Sequence, residues 1–149
     1  MDLEEIQKAK NKAFHLLSYR ERTVKEMKDR LFKKGFDNDV VEQTINYLLE
    51  KDLINENRFA EQWIRSRINN HPRGRRLIYK ELLKKGLNRS LIDSSLNKYL
   101  SFEQEIKMSE TLIKKWLRKH KEEDRESLKL KNYLSNKGFS YDIINKTTD

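Results

Sequence analysis

Leu82-Leu83-Lys84-Lys85-Gly86-Leu87-Asn88-Arg89-Ser90-Leu91-Ile92 is the middle one of three versions of a single pattern in this chain. Leu31-Phe32-Lys33-Lys34-Gly35-Phe36-Asp37-Asn38-Asp39-Val40-Val41 comes before it, and Leu134-Ser135-Asn136-Lys137-Gly138-Phe139-Ser140-Tyr141-Asp142-Ile143-Ile144 comes after. The shared form is L-x3-G-[FL]-x3-[VLI]-[VI], and Met27, Ile78 and Leu130 each stand eight residues before the glycine. Recurrence at a period of about 50 residues marks a repeat architecture. Each copy reads as a helix with apolar residues one turn apart, a glycine where a C-cap needs a left-handed backbone, and a second amphipathic helix. Lys33, Lys34, Lys84, Lys85 and Lys137 sit where a helix C-terminus favours cations. Asp37, Asn38, Asn88, Ser90 and Ser140 supply side chains suited to starting the next helix.

A longer amphipathic helix precedes each pair. Ile6, Ala9, Ala13, Phe14 and Leu17 set its apolar stripe in the first copy, and Phe59, Ala60, Trp63, Ile64 and Ile68 in the second. Phe102, Ile106, Ser109, Leu112, Ile113 and Trp116 do so in the third. Thr23-x-x-Glu26 has the form of a capping box, and His71-Pro72-Arg73-Gly74 is the equivalent break in the middle copy. The spacing predicts nine helices, at 2–19, 23–34, 38–50, 55–69, 74–85, 89–100, 102–120, 124–137 and 140–147. The fold class is therefore all-α: three tandem three-helix repeats, at 1–52, 53–100 and 101–149, expected to stack into an elongated curved array. The ninth expected helix is shorter than its counterparts, so the third copy is either a minimal repeat or one from which residues are missing.

Composition agrees. Four Gly and one Pro in 149 residues exclude most β-sandwich and barrel designs, which need many tight turns. No Cys means no disulfide, thiolate site or Cys nucleophile, which fits a reducing cytoplasm. No apolar run approaches the length of a membrane span, and Met1–Lys10 lacks the form of a secretory signal.

Charge is unevenly placed. The net formal charge of +9 divides into 0 for residues 1–52, +7 for 53–100 and +2 for 101–149. Arg58, Arg65, Arg67, Arg73, Arg75, Arg76 and Arg89 are seven of the eleven cations in the middle repeat. A guanidinium donates two parallel hydrogen bonds to a phosphate or carboxylate, and a crowd of cations calls for a polyanionic partner. A solvated surface suffices for the balanced outer repeats but suits the middle one less well.

Tests for chemistry come up empty. His15, His71 and His120 are far apart in sequence, and no phosphate-binding glycine loop or zinc-binding HExxH is present. Asp37 and Asp39 could be imagined as metal ligands, but Asn88 and Ser90 replace them in the next copy, so a helix-starting role is preferred. No enzyme, cofactor or metal is expected.

Three segments resemble the signatures of the RecX family of recombinase regulators. They are Arg22-Thr23-x-x-Glu26-Met27-x-x-Arg30-Leu31-x3-Gly35-Phe36, then Asp52-Leu53-Ile54-Asn55-Glu56-Asn57-Arg58-Phe59-Ala60 with Trp63 and Arg67, and Gly74-x-x-Leu77-Ile78-x-x-Glu81-Leu82-x3-Gly86-Leu87. Asn55-Glu56 replaces an acidic pair of the family pattern. The resemblance implies a non-enzymatic, cytoplasmic bacterial protein that lies in the groove of a RecA recombinase filament on single-stranded DNA. It implies inhibition of strand exchange, of ATP hydrolysis and of co-protease activity, together with direct DNA binding, duplex included. A monomer is expected. Arg65, Arg67, Arg73, Arg75, Arg76 and Lys80 are the candidate contact residues, with Arg73, Arg76 and Lys80 spaced to line one helical face. For Arg67 the competing reading is a structural ion pair with Glu81, and Trp63, Trp116, Phe59 and Ala60 are assigned to the core. The alternative function is a stand-alone helical-repeat DNA-binding protein. An adaptor without nucleic-acid affinity is a third reading, which the +7 middle opposes.

Overall fold

The computed structural model describes residues 2–149, so Met1 of the first expected repeat lies outside it. Among the described residues there are nine α-helices and no strand: α1 Leu3–Tyr19, α2 Val24–Lys33, α3 Asn38–Glu50, α4 Glu56–Asn69, α5 Arg75–Lys84, α6 Arg89–Tyr99, α7 Phe102–Leu117, α8 Leu128–Asn136 and α9 Tyr141–Thr148. Seven of the nine stay close to expectation. The seventh stops at Leu117 and the eighth starts at Leu128, because the acidic run between them forms a separate 3₁₀ turn, Glu122–Glu126.

Helix starts follow from side chains. Thr23 and Glu26 form the capping box, with Thr23 Oγ1 accepting from Glu26 N–H at 3.1 Å and Glu26 Oε1 accepting from Thr23 N–H at 3.2 Å. Asp37, Asn88 and Ser140 cap α3, α6 and α9 in the same position of each copy. Gly35, Gly86 and Gly138 adopt φ of 95°, 95° and 96°, the left-handed turn that reverses the chain.

The chain divides into two compact units. One holds the residues up to Phe59 together with Lys85–Leu87, and the other holds Ala60–Lys84 and Asn88–Asp149. The first has its own core of Ala9, Ala13, Met27, Leu31, Val41 and Leu48. Phe14, expected on the inner stripe, is 38% exposed, and Leu16 is buried instead. In the second, Ile64, Ile78, Leu82, Ile113, Leu130 and Leu134 are fully enclosed, as are Ala60 and Phe139. Ser109 is buried too, at 2.8 Å from the Thr147 hydroxyl, so a polar pair holds α7 to α9 within an otherwise apolar interior.

Lys85–Leu87 belongs with the first unit because α2 grips it. Thr23 Oγ1 donates to the Lys85 carbonyl at 2.7 Å, and Lys85 Nζ reaches Glu26 at 3.0 Å. The second unit contains an equivalent arrangement one repeat along. Gly74 N–H donates to the Lys137 carbonyl at 2.8 Å, and Arg76 N–H to the Gly138 carbonyl at 3.2 Å.

Candidate interaction surface

The middle repeat carries the excess charge, and its organising residue is an anion. Glu81, on α5, accepts from Arg67 Nε at 2.9 Å, from Arg67 Nη2 at 3.1 Å and from the Trp63 indole N–H at 3.2 Å. Arg67 also lies over the Trp63 ring, 4.5 Å from its centroid. Its side chain is only 18% exposed, so the ion-pair reading holds for this residue. Trp63 is half-buried, not fully inside, because its polar edge must reach Glu81. Arg73 approaches the same carboxylate at 4.0 Å, so Arg67, Trp63 and Arg73 share a single negative charge.

The other candidates point elsewhere. Arg65 and Arg67 are two residues apart on α4, which turns them about 200° from each other around the helix. Arg65 pairs with Glu61 at 2.9 Å and lies 5.3 Å from the Tyr99 ring, on a side chain that is 59% exposed. Arg75 donates to the neutral Asn97 amide oxygen, and Arg76 donates to the Ser135 carbonyl. Among the described residues neither guanidinium forms an ion pair, although the Arg75 charge acts on Glu105 from farther off. Lys80 is exposed one turn beyond Arg76 on α5. Arg73 precedes the helix, so Arg76 and Lys80 alone of the expected face are helical neighbours. Arg75, Arg76 and Lys80 are therefore the uncompensated part of the set, and Arg67 the compensated part.

Two groups here carried no sequence signal of their role. Glu105, in the first turn of α7, accepts from Arg75 N–H at 3.0 Å, satisfying an orphan donor of the α5 N-terminus. Burial pushes its carboxyl above the ordinary range, against the lowering pull of the Arg75 N–H and charge. Lys137 is depressed, first by burial and then by the nearby cations Arg73 and Lys115. A cleft of about 320 Å³ lies beside these groups, lined by Arg75, Arg76, Tyr79, Glu105, Gly138 and Ser140. Periodicity could not show that Arg73 and Lys115 both come near Lys137, since the three lie in separate segments. Among the described residues no cluster of His, Cys, Asp or Glu could hold a metal ion, and no helix is long and apolar enough to cross a membrane.

Comparison with known proteins gives one consistent result. Three family models match in order: the first three-helix domain of RecX over residues 9–48, the second over 55–96 and the third over 107–147. The regulatory protein RecX of Clostridioides difficile (strain 630) is 33% identical over 148 residues, covering 98% of this chain and 69% of the relative. That of Bacillus subtilis (strain 168) is 30% identical over 148 residues, covering 98% of this chain and 56% of the relative. Relatives of this kind are thus longer than the chain. The crystal structure of RecX from Lactobacillus salivarius matches with a TM-score of 0.84 at 32% identity, covering 97% of this chain and 94% of that one. A second crystal structure of a regulatory protein RecX matches with a TM-score of 0.88 at 26% identity, over 97% of this chain and 73% of that one.

Proposed function

The chain belongs to the RecX family of regulatory proteins, and from that membership we propose that it binds the RecA recombinase filament on single-stranded DNA and inhibits its activity without catalysing a reaction itself. One observation supports this reading most directly. Arg75, Arg76 and Lys80 keep their charge uncompensated on a helix in the middle of the three repeats, where acidic neighbours are few. A filament of protein around a polyanion offers both carboxylates and phosphates to such groups. A regulator that lies along a polymer needs many modest contacts, and tandem repeats supply them at a regular spacing.

The test is ATP hydrolysis by recombinase assembled on single-stranded DNA, titrated with the full chain. Inhibition at concentrations well below the filament subunits is expected. No inhibition at stoichiometric amounts would overturn the reading. Equal binding to naked duplex DNA, without recombinase, would favour the stand-alone DNA-binding alternative.

A further inference from the structure

The end of α7 has a feature that neither helix capping nor the core requires. Trp116 and His120 stack with ring centroids 3.6 Å apart and planes 1° from parallel. His120 Nδ1 lies 2.9 Å from the Trp116 carbonyl oxygen, so the imidazole is held flat over the indole when that nitrogen carries the proton. Trp116 is half-buried and therefore anchored, while His120 is exposed. The outcome is a two-ring platform with its imidazole member exposed. Five cations, Lys114, Lys115, Arg118, Lys119 and Lys121, occupy residues 114–121 with no carboxylate among them. Among the described residues none of the five is in an ion pair. The helix dipole accounts for cations in the last turn but not for a run that continues past Leu117, nor for a ring pair displayed at the surface.

We propose that Trp116 and His120 form a base-stacking site for single-stranded nucleic acid, with Lys115 and the neighbouring Lys137 and Arg73 receiving the phosphates on one side. An unpaired base has a free π-face to continue the stack, whereas the bases of a duplex are already covered by their neighbours. The Lys137 ammonium is crowded by Arg73 and Lys115, three like charges from three segments, and a bridging phosphate relieves that crowding. The ring pair lies in the third repeat, and its action needs no recombinase.

The test uses the full chain alone, labelled with fluorotryptophan. Its two tryptophans give two fluorine NMR signals, and Trp116→Phe identifies the relevant one. The Trp116 signal moves with oligothymidylate and stays in place with inorganic polyphosphate of equal charge. His120→Ala weakens oligothymidylate binding about tenfold and leaves polyphosphate binding unchanged, while His120→Tyr, which restores a ring, retains the affinity. Because the side chain is exposed, helicity and melting of both variants match the parent. Binding of His120→Ala within twofold of the parent overturns the proposal, as does equal loss in both variants. An equal shift with polyphosphate would reduce the site to a cation patch and overturn it too, and so would an absence of binding to oligothymidylate without recombinase.

Discussion

The grip of α2 on Lys85–Gly86 and the grip of the α5 N-terminus on Lys137–Gly138 use equivalent parts at different closeness. In the first, a side chain bridges the gap: the Thr23 hydroxyl donates to the Lys85 carbonyl. In the second, Gly74 holds the equivalent cap position and its own N–H donates to the Lys137 carbonyl, so backbone meets backbone. A carboxylate from the next long helix then caps each. Glu56 accepts from Val24 N–H at 3.1 Å, and Glu105 accepts from Arg75 N–H at 3.0 Å. The difference explains the fourth glycine, Gly74, which has no counterpart in the other copies. A Cβ there would stand 2.2 Å from the Gly138 carbonyl carbon, which cannot swing away as a side chain can. Sequence drift between repeats has therefore changed how closely one repeat's helix start approaches the next repeat's turn, while the hydrogen-bond logic stays the same.

Substitutions at the glycines should grade with that closeness, and they give the largest effects. Gly74→Ala and Gly138→Ala should each cost about 3 kcal/mol or more, because both force backbone apart and the second adds left-handed strain. Gly86→Ala meets Lys25 Cβ at 2.6 Å and should cost about 2–3 kcal/mol, and the branched Gly86→Val should cost more. At Gly35 nothing lies within 4 Å of the added atom, so Gly35→Ala carries only the backbone term, about 1–2 kcal/mol. Urea unfolding of the four alanine variants measures the order. If Gly35→Ala proves as damaging as Gly138→Ala, close approach is not what separates these positions.

The carboxylates at the grips should respond to pH with both signs, Glu26 one way and Glu56 and Glu105 the other. Glu26 is partly buried, which alone would raise its pKa, but hydrogen bonds from Arg20, Lys85 and Thr23 hold it down, to about 2. Its contribution is present above the unfolded value and is lost as pH falls through that low folded value. Glu26→Gln should therefore cost about 1–2 kcal/mol at neutral pH, after allowing for solvent screening of its partners. Burial raises Glu56 and Glu105. A carboxyl raised on folding stabilises the fold fully below its unfolded value, and that contribution disappears as pH rises through the folded value. Glutamine at 105 can still accept from Arg75 N–H without a buried charge, so Glu105→Gln should be neutral or slightly stabilising at pH 7. Melting temperatures across the acid range read both signs. A drop for Glu105→Gln as large as that for Glu26→Gln would show that the charge itself, not its hydrogen bond, holds that end of α5.

The repeat pattern made the helices, their caps and the three left-handed turns legible, because each depends on residues close in sequence. Gly35, Gly86 and Gly138, with Asp37, Asn88 and Ser140 after them, needed no tertiary information. The 3₁₀ turn at Glu122–Glu126 was hidden, since an acidic run looks like the opening of a helix when nothing local stops it earlier. The candidate surface was legible as composition and not as geometry. Charge counting treats Arg67 and Arg76 alike, whereas the fold brings Glu81 to one and a neutral carbonyl to the other. Only the Arg67–Glu81 pairing could be anticipated, because both residues lie on adjacent helices of one repeat.

That contrast between compensated and uncompensated arginines yields the smallest expected change in stability and the sharpest separation of roles. Arg67→Ala leaves Glu81 with only the Trp63 indole and a distant Arg73, and it removes the cation from the Trp63 face. The pair is mostly shielded, so the loss should be about 1–2 kcal/mol. Arg73→Ala, Arg75→Ala and Arg76→Ala combined remove no short ion pair, and the Arg75 N–H that Glu105 holds is retained by alanine. Alanine is also the better helix former at 75 and 76, which offsets the lost hydrogen bonds to Asn97 and Ser135. The triple variant should melt close to the parent, within about 1 kcal/mol, while binding to recombinase filaments weakens severalfold and its salt dependence becomes shallower. Unfolding of the triple variant would make these arginines part of the scaffold; unchanged filament binding would move the contact surface off the start of α5.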